Sequence, residues 1–186
     1  MKGLLTKFNM TMFVVAVLFG CMVVGSTPVK ADQYKLVWSD EFNGTELDTT
    51  KWNYNYGNGD GVPGWGNNEL QQYTDSKDNV RVENGNLVIT ARTERDENGK
   101  FKRFTSGRLN TSGKASFKYG RMEARIKVPS VTGLWPAFWM LGQNEPKGWP
   151  YCGELDILET WNTFNFAQGT AHWENEKDKP DRKSVV

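Results

Sequence analysis

The sequence is poor in cysteine, in net charge and in helical patterns. It has only two cysteines, and since Cys152 alone lies beyond residue 31, that part of the chain can form no internal disulfide. We interpret Cys152 as an unpaired, buried residue in an apolar setting. The formal net charge is +1, which gives no reason to expect nucleic acid or an anionic membrane as a partner. No stretch has a long apolar pattern of helical period, which argues against a helical fold.

The amino-terminal residues have the pattern of a secretory signal peptide. Lys2 and Lys7 form a basic start, an apolar run follows over residues 10–25, and residues 29–31 (VKA) form a small-residue cleavage site. The run has about 16 apolar residues, fewer than the roughly 20 that a membrane-spanning helix needs. We therefore expect a signal peptide over residues 1–31 and a secreted, extracellular product that has no membrane association after cleavage.

The remaining residues, 32–186, are interpreted as one domain. Cleavage removes three of the 23 basic residues and none of the 22 acidic ones, which leaves a formal charge of 20 minus 22, or −2. All eight tryptophans lie in this domain, and a near-neutral, tryptophan-rich exported domain fits flat sugar rings as a partner. For any single tryptophan a place in the core is the commoner use. A lipid-attached form at Cys21 stays open, because residues 18–21 (LFGC) approximate a lipid-attachment box.

Short apolar alternations broken by Gly, Asn and Asp predict an all-β sandwich or barrel. A hairpin is expected at Asn84-Gly85, since this pair is typical of two-residue hairpin turns. Other strands are predicted over residues 34–38, 120–128 (half-buried), 134–141 (covered on both faces), 154–161 and 169–173. Residues 55–74 predict a binding loop, residues 93–107 predict a solvated turn, and the charged segment after Trp173 offers no closing strand.

Three acidic residues lie close together in the sequence. In a regular strand Glu154 and Asp156 share a face, whereas Glu159 has the opposite parity. In a helix Glu154 and Glu159 would lie roughly 140° apart. A β-bulge at Ile157-Leu158 would add one residue and bring all three acids to one face, and bulges often re-aim side chains beside active sites. The alternate residue Leu155 would then point into the core.

Three carboxylates on one face suit the cleavage of a glycosidic bond with retention. Glu154 would attack the sugar, Glu159 would first donate and then accept the proton, and Asp156 between them would tune both by like-charge repulsion. A solvated acidic face is the plainer alternative. The preceding strand carries Trp135 and Trp139 on one face, and this aromatic surface favours a sugar cleft.

Six motifs resemble glycoside hydrolase family 16, and within it the bacterial endo-β-1,3-glucanases, or laminarinases. They are VWSDEFNG, WGNNELQQYT, SGRLNTSGK, YGRMEARIKVP, LWPAFWMLG and GELDILE. Glu154, Asp156 and Glu159 match the bulged form of the family's signature, which is one residue longer than the compact form. The resemblance spans residues 37–173 and implies a jelly-roll β-sandwich of two antiparallel sheets with a concave substrate cleft.

The resemblance also implies an activity, that of a retaining endo-glycosidase. Such an enzyme hydrolyses internal β-1,3-glucosidic bonds of laminarin-like β-glucans by double displacement. A β-glucan polysaccharide is then the partner, no cofactor is required, and we expect a monomer. The family continues with further strands after the position of residue 173. We therefore expect residues 32–186 to be a catalytic domain that lacks its C-terminal strands and to be unstable or weakly active alone.

By position, the resemblance implies that Arg108 and either Asn68 or its neighbour Asn67 hydrogen-bond the sugar. It also implies that Trp135 and Trp139 form a stacking platform and that His172 is a substrate-site histidine near the acid/base. Some have a plainer alternative, namely a salt bridge for the arginine, core positions for the tryptophans and a surface position for the histidine. Glu41 and Gly85 resemble two positions of a structural calcium site found in some members. Its third ligand lies on a C-terminal strand that this sequence lacks.

Two other functions stay open. A non-catalytic β-glucan-binding module would share the fold, but it needs neither the two glutamates nor the aspartate between them. A different specificity within the family, for mixed-linkage β-glucan, agarose or carrageenan, is compatible with the bulged motif. The segments WGNNELQQYT and LWPAFWMLG favour laminarin.

Overall fold

The computed structural model describes residues 34–185 except residues 144, 145, 147, 163, 164, 176 and 177. The chain divides into two units, residues 1–35 and residues 36–186. Of the first unit only Tyr34 and Lys35 are described, and both are exposed. The predicted signal peptide therefore lies outside the described residues. Within those residues, no helix has the length and apolar character that crossing a membrane requires.

The second unit is all-β, as the sequence predicts. A short turn at Pro63–Gly66, with left-handed φ values at Gly64 and Trp65, lies between two of its strands. The strands of the described residues are β1 (Asn53–Tyr54), β2 (Gln71–Tyr73), β3 (Val80–Glu83), β4 (Asn86–Ile89), β5 (Arg92–Arg95), β6 (Phe101–Ser106), β7 (Leu109–Asn110), β8 (Ala137–Leu141), β9 (Glu154–Glu159), β10 (Gln168–Asn175) and β11 (Asp178–Val185). They form a four-stranded sheet in the order β11-β10-β9-β8, a three-stranded sheet in the order β2-β6-β5, and the pairs β1-β7 and β3-β4.

The four-stranded sheet carries the three acids, because they all lie on β9. Its strands are antiparallel, and β9 has a hydrogen-bonded neighbour on each side, which fixes the direction of its side chains. The predicted antiparallel pairing fails once in the described residues, since β2 and β6 are parallel. The chain between them contains three further strands, which is long enough for the crossover that a parallel pair needs.

The strands β3 and β4 form the hairpin predicted at Asn84-Gly85. Asn84 has a φ of 52° and Gly85 a φ of 71°, so both central residues are left-handed, as a type I′ turn requires. Glu83 pairs with Asn86 directly across the turn. The hairpin prediction is confirmed.

Two predicted strands do not form. Residues 34–38 and 120–128 have apolar alternation, but the structure assigns no strand to either segment. Alternation shows only that one face could be buried, whereas a strand also needs a hydrogen-bonded neighbour. No described strand pairs with these segments. Leu36 and Val37 are accordingly 76% and 77% exposed.

Residues 93–107, predicted to be a solvated turn region, are mostly exposed as expected, but they form most of a hairpin. Strands β5 and β6 pair antiparallel, and Glu94 accepts a hydrogen bond from Nε of Arg103 across the pair at 2.6 Å. In the turn, Oδ1 of Asp96 accepts from the backbone N–H of Asn98 at 2.9 Å. The charges are therefore partners across the strands and in the turn, which composition alone does not distinguish from a solvated loop.

The structure also has a strand where the sequence predicts no closing strand. Strand β11 pairs antiparallel with β10, and the ladder shifts register between Trp173 and Asn175. At this point Lys179 and Pro180 of β11 together oppose Glu174 of β10. Proline lacks an N–H but is tolerated at bulges and on edge strands, so Pro180 does not prevent the pairing.

Few apolar side chains of the described residues are buried, namely Leu47, Val80 and Val82. Leu155, predicted to point into the core, is 54% exposed, because the face of β9 opposite the acids is open to solvent in the described residues. Strand β8, predicted to be covered on both faces, likewise ends in Leu141, which is 49% exposed. Both predictions of burial are wrong.

Gly142 follows β8 and allows a close approach to the segment before β9. Its backbone N–H donates to the carbonyl oxygen of Gly153 at 2.9 Å. A Cβ atom added to Gly142 would lie 1.7 Å from the backbone oxygen of Cys152, so only glycine fits here. Cys152, predicted to be buried, is half-buried, and its thiol is free.

We predict that Gly142→Ala destabilises the protein, because the contact with the Cys152 carbonyl can be relieved only by moving backbone. Overpacking of this kind costs roughly 1–3 kcal/mol, which urea denaturation would measure as a lower free energy of unfolding. Gly44→Ala is the matched control, since a Cβ at Gly44 meets no atom closer than 3.5 Å. Equal stability of the two variants would contradict the prediction.

Candidate active site

A β-bulge in β9 sets the positions of the three acids. Across the ladder with β8, Trp139 pairs with Asp156 and Phe138 pairs with Leu158, so Ile157 is an extra residue. The ladder with β10 shifts register at the same place. The predicted bulge at Ile157-Leu158 is therefore confirmed, and it gives this part of β9 one residue more than either neighbour.

The bulge brings Glu154, Asp156 and Glu159 to one face of the sheet. Residues paired directly across strands share a face. Strand β8 contributes Leu141, Trp139 and Ala137 to this face, and strand β10 contributes His172, Thr170 and Gln168. We call it the acid face, and it places an indole ring and an imidazole ring on either side of the row of carboxylates.

Asp156, the middle acid, is the most buried of the three and is 6% exposed. Burial and the neighbouring Glu154 carboxylate raise the pKa of Asp156 from its ordinary value of 3.8 to about 6, while His172 acts in the opposite direction. Oδ2 of Asp156 lies 3.1 Å from Nε2 of His172. Asp156 can therefore keep a proton under mildly acidic conditions and share it with Glu154, whereas His172 favours its ionised form.

Glu154, Asp156 and His172 are also close enough to be considered as metal ligands. One donor atom from each lies within 4.8 Å of the others, and in the described ranges no other group of three His, Cys, Asp or Glu side chains does so. Asp156 is hydrogen-bonded to both partners, which accounts for the short distances without an ion. We interpret the group as a proton-sharing cluster.

The residues predicted for a calcium site lie elsewhere. Glu41 is on an exposed loop before β1, and Gly85 is in the turn between β3 and β4. A surface cavity beside Glu41 is also lined by Asp40 and Asp48, but Gly85 does not line it. Oδ2 of Asp40 already accepts a hydrogen bond from Nε1 of Trp52 at 2.8 Å. Calcium binding stays a prediction.

Glu159, the last acid of the row, is held by a tryptophan. Nε1 of Trp135 donates to Oε1 of Glu159 at 2.9 Å. Trp135 is 49% exposed, and its ring meets that of Trp161 edge-on with 6.3 Å between the centroids. A core position for Trp135 is therefore excluded, and its role as a sugar platform stays a prediction.

Arg108, which follows β6, contacts two indole rings. Its Cζ lies 4.3 Å from the ring centroid of Trp65 and 4.9 Å from that of Trp139. Its Nη1 lies 3.9 Å from Oε1 of Glu69, so the salt bridge that the sequence leaves open is present only at long range. Since Trp139 is the cross-strand partner of Asp156, the guanidinium group lies at the border of the acid face.

Asn67 and Asn68 lie on the loop before β2, and both are exposed. Nδ2 of Asn67 donates to Oε1 of Glu69 at 3.2 Å, the same oxygen that faces Arg108. Asn68 has a φ of 59°, a left-handed conformation that asparagine adopts more readily than most residues. The structure therefore links Asn67 to Arg108 through Glu69.

Asn58 and Glu69 are loop residues for which the sequence alone predicts no individual role. Nδ2 of Asn58 donates to the carbonyl oxygens of Glu69 and Gln71 at 2.9 and 3.1 Å, and its Oδ1 accepts from the N–H of Gly64 at 2.6 Å. These partners are distant in sequence, so no local periodicity predicts them. The sequence feature that could point to them is the high content of glycine and amide residues in one long loop, since long loops are often functional.

Fold and site together define a class, the β-sandwich glycoside hydrolases. The family model described as the beta-porphyranase A–D domain of glycoside hydrolase family 16 matches residues 34–181. The chain belongs to glycoside hydrolase family 16.

Two individual proteins with glucanase names are similar to this chain in sequence. A beta-glucanase from Rhodothermus marinus is 47% identical over 170 residues, which cover 87% of this chain and 57% of the relative. A glucan endo-1,3-beta-glucosidase from Niallia circulans is 44% identical over 149 residues, which cover 74% of this chain and 22% of that protein. The chain spans less than two thirds of the length of either relative.

Solved structures confirm the predicted jelly-roll fold. The laminarinase catalytic domain from Thermotoga maritima is similar to this chain with a TM-score of 0.70 and 45% sequence identity. The similarity covers 81% of this chain and 62% of that domain.

The raised pKa of Asp156 predicts a pH dependence of stability. A carboxyl group whose pKa rises from 3.8 to about 6 binds its proton more tightly in the folded state. Its contribution to stability is therefore fully present below about pH 4 and is lost as the pH rises through about 6. We expect the free energy of unfolding of the wild type to fall relative to that of Asp156→Asn by on the order of 2 kcal/mol between pH 4 and pH 7.

Urea denaturation at a series of pH values measures both curves. Asp60→Asn, on an exposed loop, is the control and should follow the wild type. Parallel curves for the wild type and Asp156→Asn would contradict the raised pKa.

Proposed function

We propose that the protein is a secreted, retaining endo-glycosidase that hydrolyses internal β-1,3-glucosidic bonds of laminarin-like β-glucans by double displacement. The observation that carries the proposal is the bulge in β9, which aligns Glu154, Asp156 and Glu159 on one face. The relatives named beta-glucanase and glucan endo-1,3-beta-glucosidase support a β-glucan as substrate.

The proposed reaction has two steps. In the first, Glu154 attacks the anomeric carbon while Glu159 gives its proton to the glycosidic oxygen, and the reducing-side sugar leaves. In the second, Glu159 takes a proton from water, whose oxygen attacks the same carbon and releases Glu154. Each step inverts the configuration at that carbon, so the product retains the original one.

The contact with Trp135 supports an acid/base role for Glu159. The indole N–H donates to one carboxylate oxygen, which restricts rotation of the carboxylate and fixes the direction of the other oxygen. A proton carried by that other oxygen is then presented in one direction. Such positioning of the donor is a large part of general acid catalysis.

Asp156 and His172 support a nucleophilic role for Glu154. Asp156 retains its proton up to about pH 6 and is hydrogen-bonded to Glu154, and a donated hydrogen bond stabilises an ionised carboxylate. Nε2 of His172 lies 3.1 Å from Oδ2 of Asp156 and favours the ionised form of that carboxyl group, so His172 can stabilise Asp156 when its proton leaves.

Sugar binding is proposed on both sides of the acids. The exposed ring of Trp135 offers a stacking surface beside Glu159. Trp139 has Arg108 against its ring, so a sugar would use the rest of that indole. Arg108 and Asn67 offer hydrogen-bond donors to sugar hydroxyl groups, and Asn68 extends this donor set along the same loop.

Two alternatives remain as outcomes of the test. A glucan-binding module would not need an acid of raised pKa between two glutamates, which favours an enzyme. A different polysaccharide is supported by the description of the matching family model, which names beta-porphyranases. The relatives of 47% and 44% identity carry glucanase names, and we therefore favour a β-1,3-glucan.

The proposal includes three further points that rest on sequence pattern and family resemblance. Residues 1–31 would direct export, and the enzyme would act outside the cell. It would act as a monomer without a required cofactor. A structural calcium ion at Glu41 and Gly85 would be optional.

The test is reducing-sugar release from laminarin, lichenan, agarose, carrageenan and porphyran by the wild type and by Glu154→Gln. We expect laminarin to be the best substrate and the variant to lose on the order of 10³-fold or more in kcat/KM, because the nucleophile is gone. Glu97→Gln, on the exposed turn between β5 and β6, is the matched control and should keep full activity. Proton NMR of the first product should show the retained β anomer.

Each contrary outcome has a defined meaning. Full activity of Glu154→Gln would show that the nucleophile assignment is wrong, and an α anomer as first product would show that the mechanism is inverting. Preference for agarose or porphyran would replace the β-1,3-glucan specificity. Laminarin binding without hydrolysis would favour the binding module.

A further inference from the structure

We propose that Trp65 and Glu69 are positioning residues that hold the guanidinium group of Arg108 at the border of the acid face, ready to bind the glucan chain. The inference rests on the proposed function, since it concerns affinity for that substrate. In this arrangement Arg108 contacts the sugar, whereas Trp65 and Glu69 act through Arg108.

The aromatic contacts restrict the direction of Arg108. Its Cζ lies 4.3 Å from the Trp65 centroid and 4.9 Å from the Trp139 centroid, distances at which a guanidinium group is attracted to the ring face. Trp139 belongs to β8 and is fixed by its pairing with Asp156. Trp65 comes from the loop before β2 and adds a second ring. The long arginine side chain therefore has fewer conformations available to it.

Glu69 supplies the matching charge. Its side chain is 11% exposed, and its Oε2 accepts hydrogen bonds from Nε2 of Gln71 at 2.6 Å and from the hydroxyl of Tyr73 at 2.5 Å. These two donors hold the carboxylate in place. Its Oε1 is then directed towards Arg108 at 3.9 Å and Asn67 at 3.2 Å.

Tyr73 remains a donor to Glu69 at neutral pH. Burial and the Glu69 carboxylate raise the pKa of Tyr73 to about 12, so the phenol keeps its proton. Tyr73 also has its ring 5.6 Å from that of Trp65. One residue therefore supports both the carboxylate and the indole that contact Arg108.

The backbone of the loop indicates that Trp65 is held in this place by its surroundings. Gly64, Trp65 and Gly66 are consecutive left-handed residues, with φ values of 62°, 53° and 79°. This conformation is unusual for a tryptophan and persists only where other contacts enforce it. Asn58 provides such contacts on both sides of Trp65, because its side chain accepts a hydrogen bond from the N–H of Gly64 and donates one to the carbonyl oxygen of Glu69.

Positioning Arg108 before the substrate arrives should increase the affinity for the glucan. A flexible arginine loses side-chain freedom when it binds a ligand, and a residue that is already held loses less. Arg108 borders the acid row and is assigned no proton transfer in the proposed reaction. The effect of its positioning should therefore fall on KM and leave kcat nearly unchanged.

Steady-state kinetics of the full chain on laminari-oligosaccharides tests the inference. Trp65→Leu and Glu69→Gln should each raise KM roughly 3- to 30-fold, the range expected for loss of a cation–π or charge contact, with kcat within about twofold of the wild type. Trp65→Phe keeps a ring face and should recover most of the affinity. Glu94→Gln, which removes the partner of Arg103, is the matched control and should leave KM unchanged.

A double-mutant cycle separates positioning from a general loss of structure. If Trp65 acts through Arg108, adding Trp65→Leu to an Arg108→Ala variant should raise KM no further. Additive effects of the two substitutions would overturn the inference. If Trp65→Leu does not fold, the nearly isosteric Glu69→Gln is combined with Arg108→Ala and decides in the same way.

The inference and the proposed function can fail separately. Laminarin hydrolysis by the wild type with unchanged KM in both single variants would overturn the inference alone. If the wild type hydrolyses no glucan, the proposed function fails, and calorimetric titration with laminari-oligosaccharides decides the inference. Weaker binding by both variants would then support it, whereas equal binding, or no binding by the wild type, would overturn it.

Discussion

In β9 the residue Ile157 has no partner in the ladder with β8, and the arrangement of the acids depends on this one irregularity. A strand directs alternate residues to opposite faces, so Glu154 and Glu159 would lie on opposite faces if the alternation were regular. The neighbouring ladders shift register at the same place, so the bulge is held from both sides. The contact of Trp135 with Glu159 and the pairing of β10 with the acid row both follow from it.

Among the described residues, the three acids of β9 and the guanidinium group of Arg108 are not paired with each other. Arg108, at the border of the acid face, contacts two indole rings and Glu69, a residue outside the row. The acids are therefore not neutralised by a close arginine, and Asp156 is left with burial and a like charge as its main influences. Because Arg108 is paired elsewhere, Asp156 can keep its proton beside Glu154 while a guanidinium group lies at the border of the same face.

The sequence predicts the parts of this arrangement that depend on residues close together in the chain. The bulge follows from the parity of Glu159, and the β3–β4 hairpin follows from the left-handed preference of Asn84-Gly85. What it does not predict depends on neighbours that are distant in the chain. Residues 120–128 alternate well but have no described partner strand, and Glu69 becomes part of the site only because a long loop folds back on itself.

The side chain of Asn58 hydrogen-bonds three separate residues in or next to that loop. The chemistry of this side chain has a consequence for the lifetime of the protein. Its amide nitrogen donates to two carbonyl oxygens while its oxygen accepts from an N–H group, and it is followed by Gly59. Asparagine before glycine is the sequence that most readily loses its amide to slow hydrolysis as a protein ages. The resulting carboxylate has no protons to donate and would place a negative charge against both carbonyls. A molecule in which Asn58 had lost its amide would thus lose contacts that hold the loop, whereas strand β9, which carries the acids, contains no asparagine.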